Sequence, residues 1–221
     1  MQRVSQLRKM HIEPRWPVVL TIAIVLSLIG LLPNRVRAFP NWVPPLVALA
    51  MIVPMTALSV TTAQERWLRI EKIATTFFFV IVGFGMARIL TELLIKMVYR
   101  SGEITGLRLL GSSIALWVEN VLVFSLVYWR TDRGGPEARA NHMSRKPDWL
   151  FPPTGSGRES EDSAPTFVDY LFLAFCTATA FSPTATLPLT TRAKLLMMLE
   201  SMVSLVTIVA VAARAINILG S

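Results

Sequence analysis

From Trp16 to Asn34 the chain reads Trp-Pro-Val-Val-Leu-Thr-Ile-Ala-Ile-Val-Leu-Ser-Leu-Ile-Gly-Leu-Leu-Pro-Asn, 19 consecutive residues without a charge. A second uncharged run, Ala38 to Gln64, is 27 residues long. A hydrocarbon core of roughly 30 Å takes about 20 helical residues, so each run is long enough to cross one. In lipid the backbone must satisfy its own hydrogen bonds, which a helix does within a single segment. Working outward, 53% of the 221 residues are hydrophobic and 16% are charged. A soluble domain carries about 25% charged residues. The fold class is all-α: an integral membrane helical bundle.

Six membrane helices are expected. The first covers Pro17 to Pro33, with Pro17 in a first turn where its missing N–H costs nothing. The second covers Trp42 to Val60. Pro44 and Pro45 suit its start, and Pro54 should kink it. The third runs from Ile73 to Met97 and the fourth from Leu107 to Trp129. The fifth, Thr166 to Ser182, is short and is followed by a Ser-Pro turn. The sixth covers Arg192 to Leu219. Trp16, Trp42 and Trp129 fall at span edges, as an interfacial aromatic belt does.

Four units follow: a cytoplasmic N-terminal tail (1–16), a four-helix transmembrane bundle (17–129), a polar cytoplasmic connector (130–165) and a C-terminal helical hairpin (166–221). The connector is rich in Pro, Gly and both charge signs, which predicts a mobile segment without a core of its own. Its one apolar spot, Trp149-Leu-Phe-Pro-Pro153, should lie on the membrane surface or fold against the bundle. Arg3, Arg8, Lys9 and Arg15 precede the first run, and Val36-Arg-Ala38 weakly matches a cleavage site. A cleavable apolar region is about 7–15 residues, shorter than this run, so an uncleaved first span is expected.

With six crossings and the N-terminus inside, inner segments hold 13 Lys and Arg residues and outer segments hold 7. Cytoplasmic segments carry the excess of these residues, so both termini are expected in the cytoplasm, across a cell (inner) membrane. The net charge of +8 sits at span ends and in connecting segments. That placement implies the lipid bilayer and anionic headgroups as partners, and not nucleic acid. Cys176 is the only cysteine, so no intrachain disulfide forms. His11 and His142 stand far from any ligand-spaced Cys or carboxylate, and no phosphate loop or nucleophile-base pattern occurs. No metal, cofactor or enzymatic activity is expected.

Glu119 has ten uncharged residues on each side, Leu109 to Val118 and Asn120 to Trp129. A carboxylate at midspan costs roughly 2.5–3.5 kcal/mol on insertion scales, so it should face the bundle and find a partner. Depth counting from the outer span ends offers Arg88, with Glu92 one turn away on the same face. In the sixth span Glu200, Ser204, Thr207, Val211 and Arg214 are spaced for one helix face. Arg88, Glu92, Glu119, Glu200, Ser204 and Thr207 form the candidate intramembrane polar network. Such a stripe either lines a polar pathway or ties helices together as a buried seam. With no substrate motif beside it, the seam is the favoured reading.

The stretch Asp169-Tyr-Leu-Phe-Leu-Ala-Phe-Cys-Thr-Ala-Thr179 resembles the pore helix of tetrameric potassium channels. There a Thr-Val-Gly-Tyr-Gly filter follows. Here the register continues Ala180-Phe-Ser-Pro-Thr184, with Ser182 and Thr184 in place of the glycines. The filter's stacked carbonyls need backbone angles that glycine permits, and Pro183 restricts Ser182 further. A potassium filter is therefore not expected, and Ser182, Pro183 and Thr184 form a filter-like turn with a structural role. From Trp117 onward the chain is also similar to uncharacterised bacterial multi-pass membrane proteins, some labelled channel-like. The shared motifs are Trp117-Val-Glu-Asn120, Tyr128-Trp-Arg130, Gly134-Gly-Pro136, Asp148-Trp-Leu-Phe-Pro152, Phe181-Ser-Pro-Thr184, Arg192-Ala-Lys-Leu195 and Ala213-Arg-Ala-Ile-Asn217. The resemblance implies a structural or accessory membrane protein with channel-like C-terminal architecture. The alternative is a non-potassium-selective ion channel or transporter, which would require a homo-oligomer with the sixth span at its axis.

Overall fold

The computed structural model describes residues 16–31, 40, 42–43, 45–50, 53, 64–99, 106–140, 146–152, 165–180 and 186–219. Its helices are α1 (Trp16–Leu31), α2 (Gln64–Tyr99), α3 (Gly106–Thr131), α4 (Pro136–Ala140), α5 (Phe167–Thr179) and α6 (Thr191–Leu219). Residues 45–50 are also helical; the rest of the expected second span lies mostly outside the described residues. The described chain is mostly helical, and three helices are long and apolar enough to cross a membrane: Ile73–Glu92, Leu110–Gly134 and Thr191–Ala213.

α3 is the hub. It packs most broadly on α5 and α6 and also meets α1 and α2. Its spanning stretch is 56% buried, against 33% for α2 and 22% for α6, so its neighbours surround it while theirs leave them open. α1 turns Val18, Ile22, Val25 and Ile29 to the core, and α2 turns Thr75, Phe78, Val82, Met86 and Ile89. Both stripes keep the three-to-four spacing of a single helix face. The opposite faces, with Phe77, Val80 and Phe84 on α2, are exposed and apolar. That is how a helix looks when lipid is its solvent.

The connector differs from expectation, because its described ends are folded and partly buried. After Thr131 a 3-10 turn, Asp132–Gly134, reverses the chain. Arg133, Gly134 and Gly135 take φ values of 53°, 86° and 97°. Two consecutive glycines make this run of left-handed conformations affordable. α4 follows, and then β1 (Trp149–Leu150) pairs antiparallel with β2 (Leu187–Pro188), Trp149 opposite Pro188 and Leu150 opposite Leu187. Trp149 is fully buried, its ring 4.8 Å from that of Tyr128. The connector borrows its core from the tip of the bundle, which composition alone could not reveal.

The fifth segment forms a shorter helix than expected. α5 has 13 residues, about 20 Å of helix, and ends where Ala180 turns left-handed at φ 54°. The expected stop at Pro183 lies outside the described residues. Phe167 packs edge-on to Trp129 near the end of α3, and Phe175 packs on Trp117, about three turns back along α3. At Leu187 and Pro188 the chain pairs with Leu150 and Trp149, and Arg192 donates to the Thr131 carbonyl. The segment therefore enters between α3 and α6 and is back at the same end before α6 begins.

The turn after α3 yields a test. A Cβ on Gly135 would lie 2.8 Å from Arg130 Nη1 and 3.1 Å from the Arg130 carbonyl, at a φ of 97°. Gly135→Ala should cost about 1–3 kcal/mol, read as a lower thermal midpoint in detergent. Gly83→Ala, where a Cβ meets nothing within 4 Å, should leave the midpoint unchanged or raise it.

Candidate functional site

Asn120 and Tyr128 lie on one face of α3, two turns apart, with Phe124 between them. This face meets the polar stripe of α6. The Asn120 amide nitrogen donates to Ser204 Oγ at 2.8 Å and to the Glu200 carbonyl at 3.3 Å. The Tyr128 hydroxyl donates to Glu200 Oε2. Glu200, Ser204 and Thr207 are all buried, as are Asn120 and Tyr128. Thr207 turns its hydroxyl back to the Val203 carbonyl. Beside the seam, Ser201 Oγ lies 3.5 Å from the Thr177 carbonyl of α5. Three oxygens in this part of the bundle meet no donor: Glu200 Oε1, Asn120 Oδ1 and Glu119 Oε1.

The expected Arg88–Glu119 pair is not made. Glu119 is 1% exposed and makes no ion pair among the described residues, while Arg88 is exposed on α2. Helix rotation decides the contact. Ile89, not Arg88, belongs to the buried stripe of α2, and one residue is about 100° of turn. Glu92 is half-buried. The structure thus places Glu200 and Ser204 in one hydrogen-bonded group, Thr207 one turn beyond it, and Arg88, Glu92 and Glu119 apart from it. Ser182, Pro183 and Thr184 lie outside the described residues.

A second polar cluster closes the end of the bundle. Asp132 is fully buried: its Oδ1 accepts the Asp148 N–H at 2.8 Å and its Oδ2 the Tyr170 hydroxyl at 2.6 Å. Arg133 Nε stands 3.7 Å from the same carboxylate. Arg139 donates to the carbonyls of Trp129 (2.8 Å) and Asp132 (3.0 Å), with its guanidinium over the Trp129 and Tyr170 rings. Asp148 accepts the Thr190 hydroxyl at 2.6 Å and pairs with Arg192 at 2.5 Å. Thr190 Oγ1 in turn accepts the Ala193 N–H, capping α6. Trp149 Nε1 faces Met197 Sδ at 3.4 Å. These contacts tie α3, the connector, α5 and α6 at one end.

Sequence reading did not single out Asn120 or Tyr128 as partners of the α6 stripe. Their spacing of four and four through Phe124 mirrors that stripe and was the available signal. Asp132, Asp148 and Arg139 had none, because only the chain reversal brings them together. Among the described residues no group of His, Cys, Asp and Glu could hold a metal ion. No family model, curated protein or solved structure matches this chain.

The closing cluster should show unequal energetics. Asp132→Ala strands a buried hydroxyl and a buried N–H, and hydrogen bonds to a charged group contribute about 1.5–3 kcal/mol each. Arg192 is 53% exposed, so Arg192→Gln should cost no more than about 1 kcal/mol. Chemical denaturation in mixed micelles should rank Asp132→Ala well below Arg192→Gln. Equal losses would mean that the exposed pair, not the buried carboxylate, holds this end.

Proposed function

We propose that this chain is a multi-pass membrane protein with a structural or accessory role, built around a short helix that re-enters the membrane between two crossing helices. The observation that carries the reading is the direction α6 faces. Its Glu200, Ser204 and Thr207 stripe is turned inward to α3, while Leu195, Met198, Leu199, Met202, Leu205 and Val209 are exposed. An axial pathway between copies would need polar groups on that outward face. The second reading is a non-potassium-selective channel or transporter, assembled as a homo-oligomer. It is favoured by the order of α3, α5 and α6: a crossing helix, a short helix entered from one end, and a second crossing helix.

A re-entrant fifth segment would also reorder the topology. If the fifth segment re-enters, Arg192 and Lys194 move to the connector's side, and the Lys and Arg tally becomes 15 against 5. The positive-inside rule then supports a cytoplasmic N-terminus and connector, with the C-terminus outside. The bilayer of this reading is a cell (inner) membrane. Its anionic headgroups lie within reach of exposed Arg88, four residues from the end of the apolar stretch of α2.

Two measurements test this. In a Cys176→Ser background, Ser144→Cys and Ser156→Cys should resist an impermeant maleimide in intact cells, and alkaline phosphatase fused after Ser221 should be active. An inactive fusion with a shielded connector would restore six full crossings. In potassium-loaded liposomes with a sodium exterior, the protein should generate no potassium diffusion potential. A potential abolished by substituting Ser182 or Thr184 would favour the channel reading.

A further inference from the structure

Glu200 is the tenth residue of a 29-residue helix, fully buried, with an unpartnered carboxylate oxygen. The Tyr128 hydroxyl serves Oε2, and nothing serves Oε1. Asn120, equally buried, commits its amide nitrogen to α6 and leaves Oδ1 unserved. Two acceptor oxygens on wholly buried residues of one hydrogen-bonded seam therefore lack a positive partner.

The described residues supply none. Glu200 makes no ion pair among the described residues, and two nearby guanidinium groups are committed elsewhere. Arg139 serves the carbonyls of Trp129 and Asp132, and Arg192 serves Asp148 and the Thr131 carbonyl. Among the described side chains, the titratable or charged ones on the helices packed against α6 are Glu119, Tyr128 and Arg130 on α3, Asp169, Tyr170 and Cys176 on α5, and Arg88 and Glu92 on α2. Arg88 is exposed. A buried acceptor without a donor is destabilising, and an uncompensated buried carboxylate is far more so. A small cation from outside the chain removes the penalty at the Glu200 carboxylate.

We propose that Glu200 is the charge-bearing residue of an intramembrane monovalent-cation site, taking a proton or a sodium ion at Oε1 with Asn120 Oδ1 as second oxygen. The hydroxyls of Tyr128 and Ser204 complete the polar wall. The inference goes beyond the structural reading above: it concerns binding within one protomer and needs neither conduction nor a homo-oligomer.

The test uses the full chain in nanodiscs and N,N′-dicyclohexylcarbodiimide, which adds to a carboxyl in its acid form. Modification is mapped by mass spectrometry of the peptide carrying Glu200. It is followed from mildly acidic to mildly alkaline buffer, with choline or sodium at constant ionic strength. Glu200 should be modified, and the yield should fall roughly tenfold for each pH unit above its midpoint. A fall with pH alone identifies the proton. Protection when sodium replaces choline identifies sodium, and Asn120→Leu should then remove that protection. Glu200 unmodified throughout, or modified equally under every condition, overturns the proposal. Thermal midpoints provide a second readout. The difference between wild type and Glu200→Gln should change with pH or sodium, and a constant difference also overturns the site.

Discussion

The buried carboxylate of Asp132 sets the direction of everything that follows α3. It stands at the helix tip with both oxygens occupied, one by the Asp148 N–H and the other by the Tyr170 hydroxyl. A carboxylate removed from water needs such partners. Meeting that need pulls the connector back onto the bundle and holds the first turn of α5 at the same level. Asp148, drawn in by its own N–H, then receives Thr190 and Arg192 and fixes where α6 begins. Without this chain of contacts a 13-residue helix would have nothing to return it to its starting end.

Once α6 starts beside the end of α3, the two helices run antiparallel and their polar faces meet. Asn120 reaches Ser204 and Tyr128 reaches Glu200, so polar groups that would be costly toward lipid are gathered between helices. Here the balance is incomplete. The seam satisfies its donors but leaves acceptor oxygens over, a pattern that purely structural packing would tend to remove. A helical seam and a cation site are compatible: the first explains why these residues are inside, the second why a carboxyl is among them.

The outward surfaces follow a simpler rule. α1, α2 and α6 each bury one stripe and leave the opposite face apolar, with Leu20, Phe84 and Met202 among the exposed side chains. In water such faces would demand a partner, but in lipid they are already solvated. The stability of the bundle must therefore come from close packing and from the polar contacts around α3, since lipid chains are as apolar as leucine.

The uncharged runs and the sparse charge determined that this is a helical membrane protein, because hydrophobic length is a property of the sequence itself. The inward stripe Glu200, Ser204 and Thr207 was legible for the same reason, as helical periodicity fixes which residues share a face. Partnership was not. Whether Arg88 or Ile89 faces the core depends on helix rotation, and which end of the bundle α6 starts from depends on contacts between residues far apart in the chain. Composition made 130–165 read as a mobile linker, since nothing in its own sequence records that Asp132 and Tyr128 would give Asp148 and Trp149 a place to bury. Only the tertiary structure decided those points, because each rests on burial energy shared between segments that no local pattern can express.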